Sequence, residues 1–275
     1  MRVIYALWLR NLKSFVRNRT ALVFNLILPF FFVYILSGVF KLDGVDNAVA
    51  FMLAGIIITM VFESTMRISS STIDDMTGGF MKEVLVSPIS RLNIAIAQFI
   101  SSATVATIQG LLIYVIGLFM GLSLAPAALL LAIPAMIFVG LVFSGFGLFL
   151  ATRAKNIQTF QAMSMAITIP LTFLSGAYIP IFILPAAMQW IAYFNPLAYA
   201  VILFRAIALG KIGLSNSELV AEGLAFEIGN FTVTPLIAAG ILAIFGILFL
   251  VLSTISFLKV DFSKMNRNKK DSIEL

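Results

Sequence analysis

Asp74 and Asp75 are the one adjacent pair of carboxylates in this 275-residue chain. Paired carboxylates beside a membrane can hold Mg²⁺ for phosphoryl or prenyl transfer. Such a site needs further acids at helical spacing, and the following Met76-Thr77-Gly78-Gly79 supplies none, so the pair reads as a solvated turn. Glu63 stands four residues before Arg67, the favoured i,i+4 order for an ion pair, and the two read as a structural pair in preference to a substrate or proton site. Cysteine and histidine are both absent, which removes disulfides, thiol nucleophiles, Cys/His zinc sites, haem ligation and imidazole catalysis. No stretch matches G-x-x-x-x-G-K-[ST], so ATP-driven work would need a nucleotide site on another polypeptide. The expectation is therefore a chain without catalytic residues, metal or cofactor of its own, and no residue pattern assigns a substrate site.

The elements around these residues belong in a bilayer. Hydrophobic residues make up 61% of the chain and charged residues 11%, with a mean hydropathy of +1.08. Soluble domains carry about 25% charge. The net charge of +6 sits beside hydrophobic runs, where a bilayer explains it better than nucleic acid does. Charge-free stretches cover 20–40, 47–62, 92–152, 156–204 and 228–258. A charge at mid-bilayer costs about 2.5–3.5 kcal/mol, so these runs mark the spans. The run 92–152 folds back once, at Gly121-Leu122-Ser123-Leu124-Ala125-Pro126. The expected spans are 20–40, 48–68, 94–120, 127–151, 158–177 and 235–258.

Orientation follows from the basic residues. Arg2, Arg10, Lys13, Arg17 and Arg19 open the chain, and Lys259, Lys264, Arg267, Lys269 and Lys270 close it. Both ends are then expected in the cytoplasm. An even number of crossings requires 179–209 to enter the membrane and return on the external side, leaving six spans. Pro180, Pro185 and Asn195-Pro196 break that segment into short arms. With this topology all but three of the 18 basic residues lie inside; the exceptions are Lys41, Arg205 and Lys211. The external loops also hold Asp43, Asp46, Glu218, Glu222 and Glu227.

Residues 1–19 read as an interfacial amphipathic helix on the cytoplasmic leaflet. Ile4, Leu7, Trp8, Leu12 and Phe15 share one face; Arg2, Arg10, Lys13 and Arg17 share the other. Residues 72–91 are longer than a plain connection. Two glycines, a short mixed helix from Phe80 to Val86 stopped by Ser87-Pro88, and a second start at Ser90 suggest a cytoplasmic knob suited to docking a soluble partner; a surface turn is the competing reading. Gly117…Gly121, Gly140…Ser144 and Ala239…Ala243 permit close helix approach, first of all within the chain. Residues 259–275 are expected to form a cytoplasmic tail, and 1–275 reads as a single transmembrane domain.

Three stretches carry a resemblance. Glu83-Val84-Leu85-Val86-Ser87-Pro88-Ile89-Ser90-Arg91 resembles the segment through which type-2 ABC exporter permeases couple to their ATPase. Leu174-Ser175-Gly176-Ala177-Tyr178-Ile179-Pro180…Leu184-Pro185, followed by Tyr193-Phe194-Asn195-Pro196-Leu197-Ala198-Tyr199-Ala200…Phe204-Arg205, is similar to the signature before their last span. Leu28-Pro29-Phe30 is similar to their opening helix. Lys82-Glu83 after Gly78-Gly79-Phe80 departs from the Gly-Thr-acidic pattern of many members.

The resemblance implies an all-α, six-span membrane protein with an interfacial helix, a coupling helix between spans two and three, and a re-entrant hairpin before the last span. It implies ATPase coupling through Glu83, Val84, Leu85, Pro88, Ile89 and Arg91. It also implies an exit gate at Tyr178, Pro180, Pro185, Asn195 and Pro196. The partners would be two ABC ATPase subunits, which bind ATP and Mg²⁺, and a second copy or sister permease, in the inner membrane of a prokaryote. Spans rich in Phe, Met and Leu with few charges favour an amphipathic or hydrophobic cargo moved outward, a drug, antibiotic, lipid or lipid-linked glycan, while most of the 26 phenylalanines read as lipid-facing. The alternative is an ion-coupled secondary transporter or channel, which would need mid-span ionisable groups beyond Glu63. A membrane enzyme lacks an acid/base set.

Overall fold

The structure, a computed structural model, describes residues 2–39, 48–77, 90–119, 126–229 and 231–259. Helix α1 is Arg2–Arg17, α2 Arg19–Val39, α3 Ala48–Thr77, α4 Arg91–Phe119, α5 Pro126–Arg153 and α6 Ile157–Phe173. After a 3₁₀ turn at Ile181–Ile183 come α7 (Ala186–Tyr193), α8 (Pro196–Ala208) and α9 (Asn216–Ala221). Strands β1 (Phe226–Ile228) and β2 (Phe231–Val233) pair antiparallel, Phe226 opposite Val233, and α10 (Pro235–Lys259) follows. The architecture is thus helical, with a small hairpin that the expectation of an all-α chain omitted. Four described helices, α3, α4, α5 and α10, are each long and apolar enough to cross a membrane, and a fifth is counted if the bent pair α7–α8 is one span.

Helix α3 is the centre of the bundle. Its residues from Phe51 to Phe62 are buried all round, as an apolar helix without a polar face must be. It packs on α4, α5 and α8, with α2 and α6 at its flanks. Helix α10 closes against α5 and α8. The α5–α10 seam is aromatic: Phe146 and Phe249 meet edge to face at 5.0 Å, and Phe143 and Phe149 extend the row along the two helices. Close approach there needs Gly145, where a Cβ would meet the backbone nitrogen of Leu250 at 2.8 Å.

Small residues pack within the chain. Gly140 lies on Ala103 of α4, and Gly117 and Ser144 are buried. On α10 the packed stripe is Ala238, Leu242 and Gly246, one position off the Ala239…Ala243 spacing, whose alanines are only half-buried. Its far side is lipid-like, with Leu236, Ile244 and Ile247 largely exposed.

Two features of the sequence reading change. Asp74 and Asp75 lie in the last turns of α3, which runs on to Thr77, so they are helical and not a turn. The polar stretch from Ser69 to Thr77 stays helical because its buried members find partners: Ser69 Oγ donates to Thr65 O at 2.9 Å, and Thr72 Oγ1 accepts from Gln98 Nε2. Residues 72–77 of the expected coupling segment therefore extend α3. Arg10, assigned to the solvent face of α1, instead pairs with Asp75 and donates to Asn11 Oδ1 at 3.2 Å.

Candidate functional site

The two ends of the bundle carry different chemistry. At one end α1 lies across α3 and α4. Trp8 Nε1 donates to Thr104 Oγ1 at 3.1 Å, and Asn11 Nδ2 donates to Gln98 Oε1 at 3.0 Å. With the Arg10–Asp75 pair, these bonds fix α1 to α4 and to the last turns of α3. At the same end Arg91, the first residue of α4, donates from Nη1 to Leu258 O at 2.7 Å, in the last turn of α10. A cation there also suits the negative end of the α10 dipole. Ser90 opens α4: its carbonyl and its hydroxyl both accept from Asn93 N, at 3.0 and 3.3 Å. Glu83, Val84, Leu85, Pro88 and Ile89, and the short helix expected at 80–86, lie outside the described residues.

Deeper on α3, Glu63 and Arg67 approach to 3.9 Å, a loose ion pair. The stronger partners of Arg67 are neutral: Nη2 donates to Ser64 Oγ at 3.0 Å and to Gln109 Oε1 at 3.1 Å. Ser64 Oγ also donates to Gln109 Oε1, at 2.7 Å. Gln109 is fully buried, and its Nε2 has no acceptor. Sequence reasoning missed Gln98 and Gln109. The available signal was two span amides eleven residues apart, close to three helical turns and so on one face.

At the opposite end the chain from Leu174 to Val233 piles up on the starts of α3 and α10. Helix α6 stops at Phe173, with Gly176 at φ +79°, a backbone that suits glycine and turns the chain. Pro180 precedes the 3₁₀ turn, and Pro185 precedes α7. Asn195 Oδ1 accepts from Leu197 N at 2.9 Å and caps α8, with Pro196 in its first turn. Asn195 Nδ2 donates to Leu171 O at 2.7 Å, tying that turn to the last residues of α6. The axes of α7 and α8 differ by 84°. Tyr178 reaches Thr59 and the neighbourhood of Glu63 on α3.

Arg205 departs most from expectation. Counted as an external loop charge, it is 2% exposed, and its guanidinium is held by backbone carbonyls: Nε to Phe51 O at 3.1 Å, Nη2 to Gly176 O at 2.9 Å and to Ala177 O at 3.2 Å. It stacks 3.6 Å from the Phe51 ring centroid. The planar guanidinium spreads its donors over these three backbone carbonyls, one of them within helix α3. Gly55 makes room, since a Cβ there would stand 2.7 Å from Ala177 O. Above this knot is a cavity of about 370 Å³ between Gln189, Tyr193, Arg205 and Phe226. Beyond it Lys211 pairs with Glu222, and hydrogen bonds from Ser215 at the start of α9 hold the Glu218 carboxyl below the usual carboxylate range.

Among the described residues no group of His, Cys, Asp or Glu is placed to hold a metal ion. A helical bundle with four or five helices long and apolar enough to cross a membrane, and a proline-broken pair of short helices, is the frame of a polytopic membrane protein. The chain matches the family model described as ABC-2 type transporter over residues 2–209 and belongs to that family.

It is similar to nodulation protein J of Rhizobium leguminosarum bv. viciae, 29% identical over 75% of this chain and 82% of the relative. For nodulation protein J of Rhizobium meliloti (strain 1021) the identity is 28%, over 80% of this chain and 84% of the relative. It is also similar to the transport permease ycf38 of Cyanophora paradoxa, 25% identical over 70% of this chain and 66% of the relative. The protein is accordingly a multi-pass ABC-2 permease subunit, not an enzyme. Members carry no cofactor; ATP binds the ABC ATPase subunits with which they pair.

Proposed function

We propose that this chain is a six-span subunit, one half of an exporter that moves an amphipathic or hydrophobic molecule outward, driven by ATP hydrolysed on two separate ABC ATPase subunits, with a second copy or a sister permease completing the path. The match across residues 2–209 carries this reading. The relatives' printed names, a nodulation protein and a transport permease, suit a secretory role without naming the cargo. The dearth of charge in the spans favours an apolar or amphipathic one.

The bundle's two ends support six crossings. α1, Asp75 at the end of α3, Arg91 at the start of α4 and Leu258 at the end of α10 gather at one end. Phe51 at the start of α3, Ala177 after α6 and the whole of α8 gather at the other. Asn195 and Arg205, near opposite ends of α8, both bond to the last residues of α6 or just beyond. Two short helices bent by 84° and tied at both Asn195 and Arg205 to one end of α6 do not run the length of the bundle, so α7–α8 is read as a re-entrant hairpin rather than a span. Its second arm, α8, is covered by protein, as backbone at membrane depth requires, whereas α7 leaves Met188, Trp190 and Ile191 exposed. α2 and α6 then complete the six, and the hairpin roofs the exit, with Tyr178, Pro180, Pro185, Asn195 and Pro196 shaping it.

The segment 78–91 docks on the ATPase in this reading. Glu83 and Arg91 supply charged contacts, Val84, Leu85 and Ile89 the apolar ones, and Pro88 the bend that aims them. Reconstituting the permease with its ATPase in liposomes tests the proposal. ATP should drive movement of a fluorescent amphiphile, and Pro88→Ala should keep ATP hydrolysis while losing most transport. Transport without the ATPase, or normal coupling in Pro88→Ala, would contradict it.

A further inference from the structure

The cavity of about 370 Å³ above Arg205 has a volume in the range of small-ligand sites, about 300–1,000 Å³. Most of its polar side chains are satisfied within the protein. Gln189 Nε2 donates to Leu184 O at 2.8 Å, and Gln189 Oε1 accepts from Tyr193 Oη at 3.4 Å. Arg205 is the exception. Its Nε and Nη2 hold three carbonyls, whereas Nη1 has no acceptor among the described residues. Nη1 is not one of the enclosed orphan atoms of the core, so its two hydrogens open on the cavity that Arg205 lines. The charge is unmatched as well. Among the described residues lining the cavity the one acid is Glu227, which is exposed and makes no ion pair with Arg205. A buried cation without a counter-ion, with donors aimed into a cavity, suits an anion.

The walls limit what that anion can be attached to. Phe182, Val201, Ile202 and Phe226 are apolar, and Tyr193 and Phe226 stack with ring centroids 5.2 Å apart. Such walls favour an apolar body. One positive charge, reached through one nitrogen with Glu227 at the mouth, suits a singly charged group better than a doubly charged phosphate. We propose that this cavity binds an apolar organic acid, with Arg205 Nη1 donating to its carboxylate and the Tyr193–Phe226 pair packing on its body. Ala221, exposed at the end of α9, lies on the rim.

The test is equilibrium dialysis of radiolabelled probes against the purified full-length chain in detergent, with binding to protein-free micelles subtracted. The probes are 2-naphthoate, which carries the carboxylate, and 2-naphthamide, its neutral counterpart of the same shape. 2-Naphthoate should bind saturably, and 2-naphthamide about tenfold more weakly, the loss of one charge-assisted contact. Arg205→Lys should keep a preference for the acid, and Arg205→Gln should erase it. Ala221→Trp, which fills the cavity from its rim, should abolish binding while leaving the thermal midpoint of the ligand-free protein unchanged, so the test stands even if Arg205→Gln folds poorly.

Equal binding of the amide, a preference for the acid that survives Arg205→Gln, or full binding in Ala221→Trp overturns the proposal. Tighter binding of 2-naphthyl phosphate than of 2-naphthoate overturns the assignment to a carboxylate. Binding to the purified chain needs neither an ATPase nor a particular orientation in the membrane, so failure here is separate from failure of the six-span topology or of export.

Discussion

Arg205 and Gln109 teach opposite lessons about single residues. Arg205 ends a charge-free run, which made it look like the first polar residue of an external loop. Spacing along the chain cannot reveal that three carbonyls from two distant segments await it. Gln109 is neutral and so invisible to charge counting, yet from α4 it anchors Arg67 of α3. Glu63 and Arg67 were legible from their spacing, and the structure brings them to 3.9 Å. What it adds is that Arg67 leans on neutral partners more than on Glu63. For Arg205 the expected outcome is specific. Arg205→Lys keeps the charge but loses the fork that spans Phe51, Gly176 and Ala177, at a cost of about 2 kcal/mol or roughly 5 °C in the thermal midpoint of the purified protein. A midpoint equal to that of the unchanged protein would remove Arg205 from its role as a staple.

At the scale of elements, hydropathy located the helices well and their ends poorly. The starts of α5 and α10 fall within a residue of the expected spans because Pro126 and Pro235 mark them. α3 was cut short at 68 because its last turns are polar, and nothing local announces that Gln98 on α4 and Arg10 on α1 will satisfy them. The β1–β2 hairpin was missed for a different reason, since three-residue strands carry too little alternation to read. The proline signals at Pro180, Pro185 and Pro196 were legible as breaks, and each does precede or open a short helix. The contact of α3 with the turn after α6 depends on Gly55, where a Cβ would stand 2.5 Å from Arg205 Nη2. Gly55→Val should therefore force the two apart at a cost of about 1–3 kcal/mol, read as a lower thermal midpoint. Faster tryptic cleavage at Lys211 should accompany it as the hairpin loosens. Unchanged stability and cleavage would mean that the close approach is dispensable.

For the whole molecule, basic residues at both ends of the sequence and the bonds at both ends of the bundle lead to one arrangement. α1, the end of α3, the start of α4 and the end of α10 share a face, and the hairpin, α9 and β1–β2 share the other. In the proposed six-span reading the ATPase docks against the α1 face, which puts that face in the cytoplasm. Ser217 on α9 is exposed on the hairpin side, and Ser263 follows α10 by a few residues. The chain has no cysteine, so single cysteines report without interference. Ser217→Cys and Ser263→Cys, each labelled with a membrane-impermeant maleimide on intact cells, test the six-span arrangement most directly. The account predicts that Ser217→Cys reacts on intact cells and that Ser263→Cys reacts only after the membrane is opened. Labelling of both on intact cells, or of Ser263→Cys alone, would contradict it.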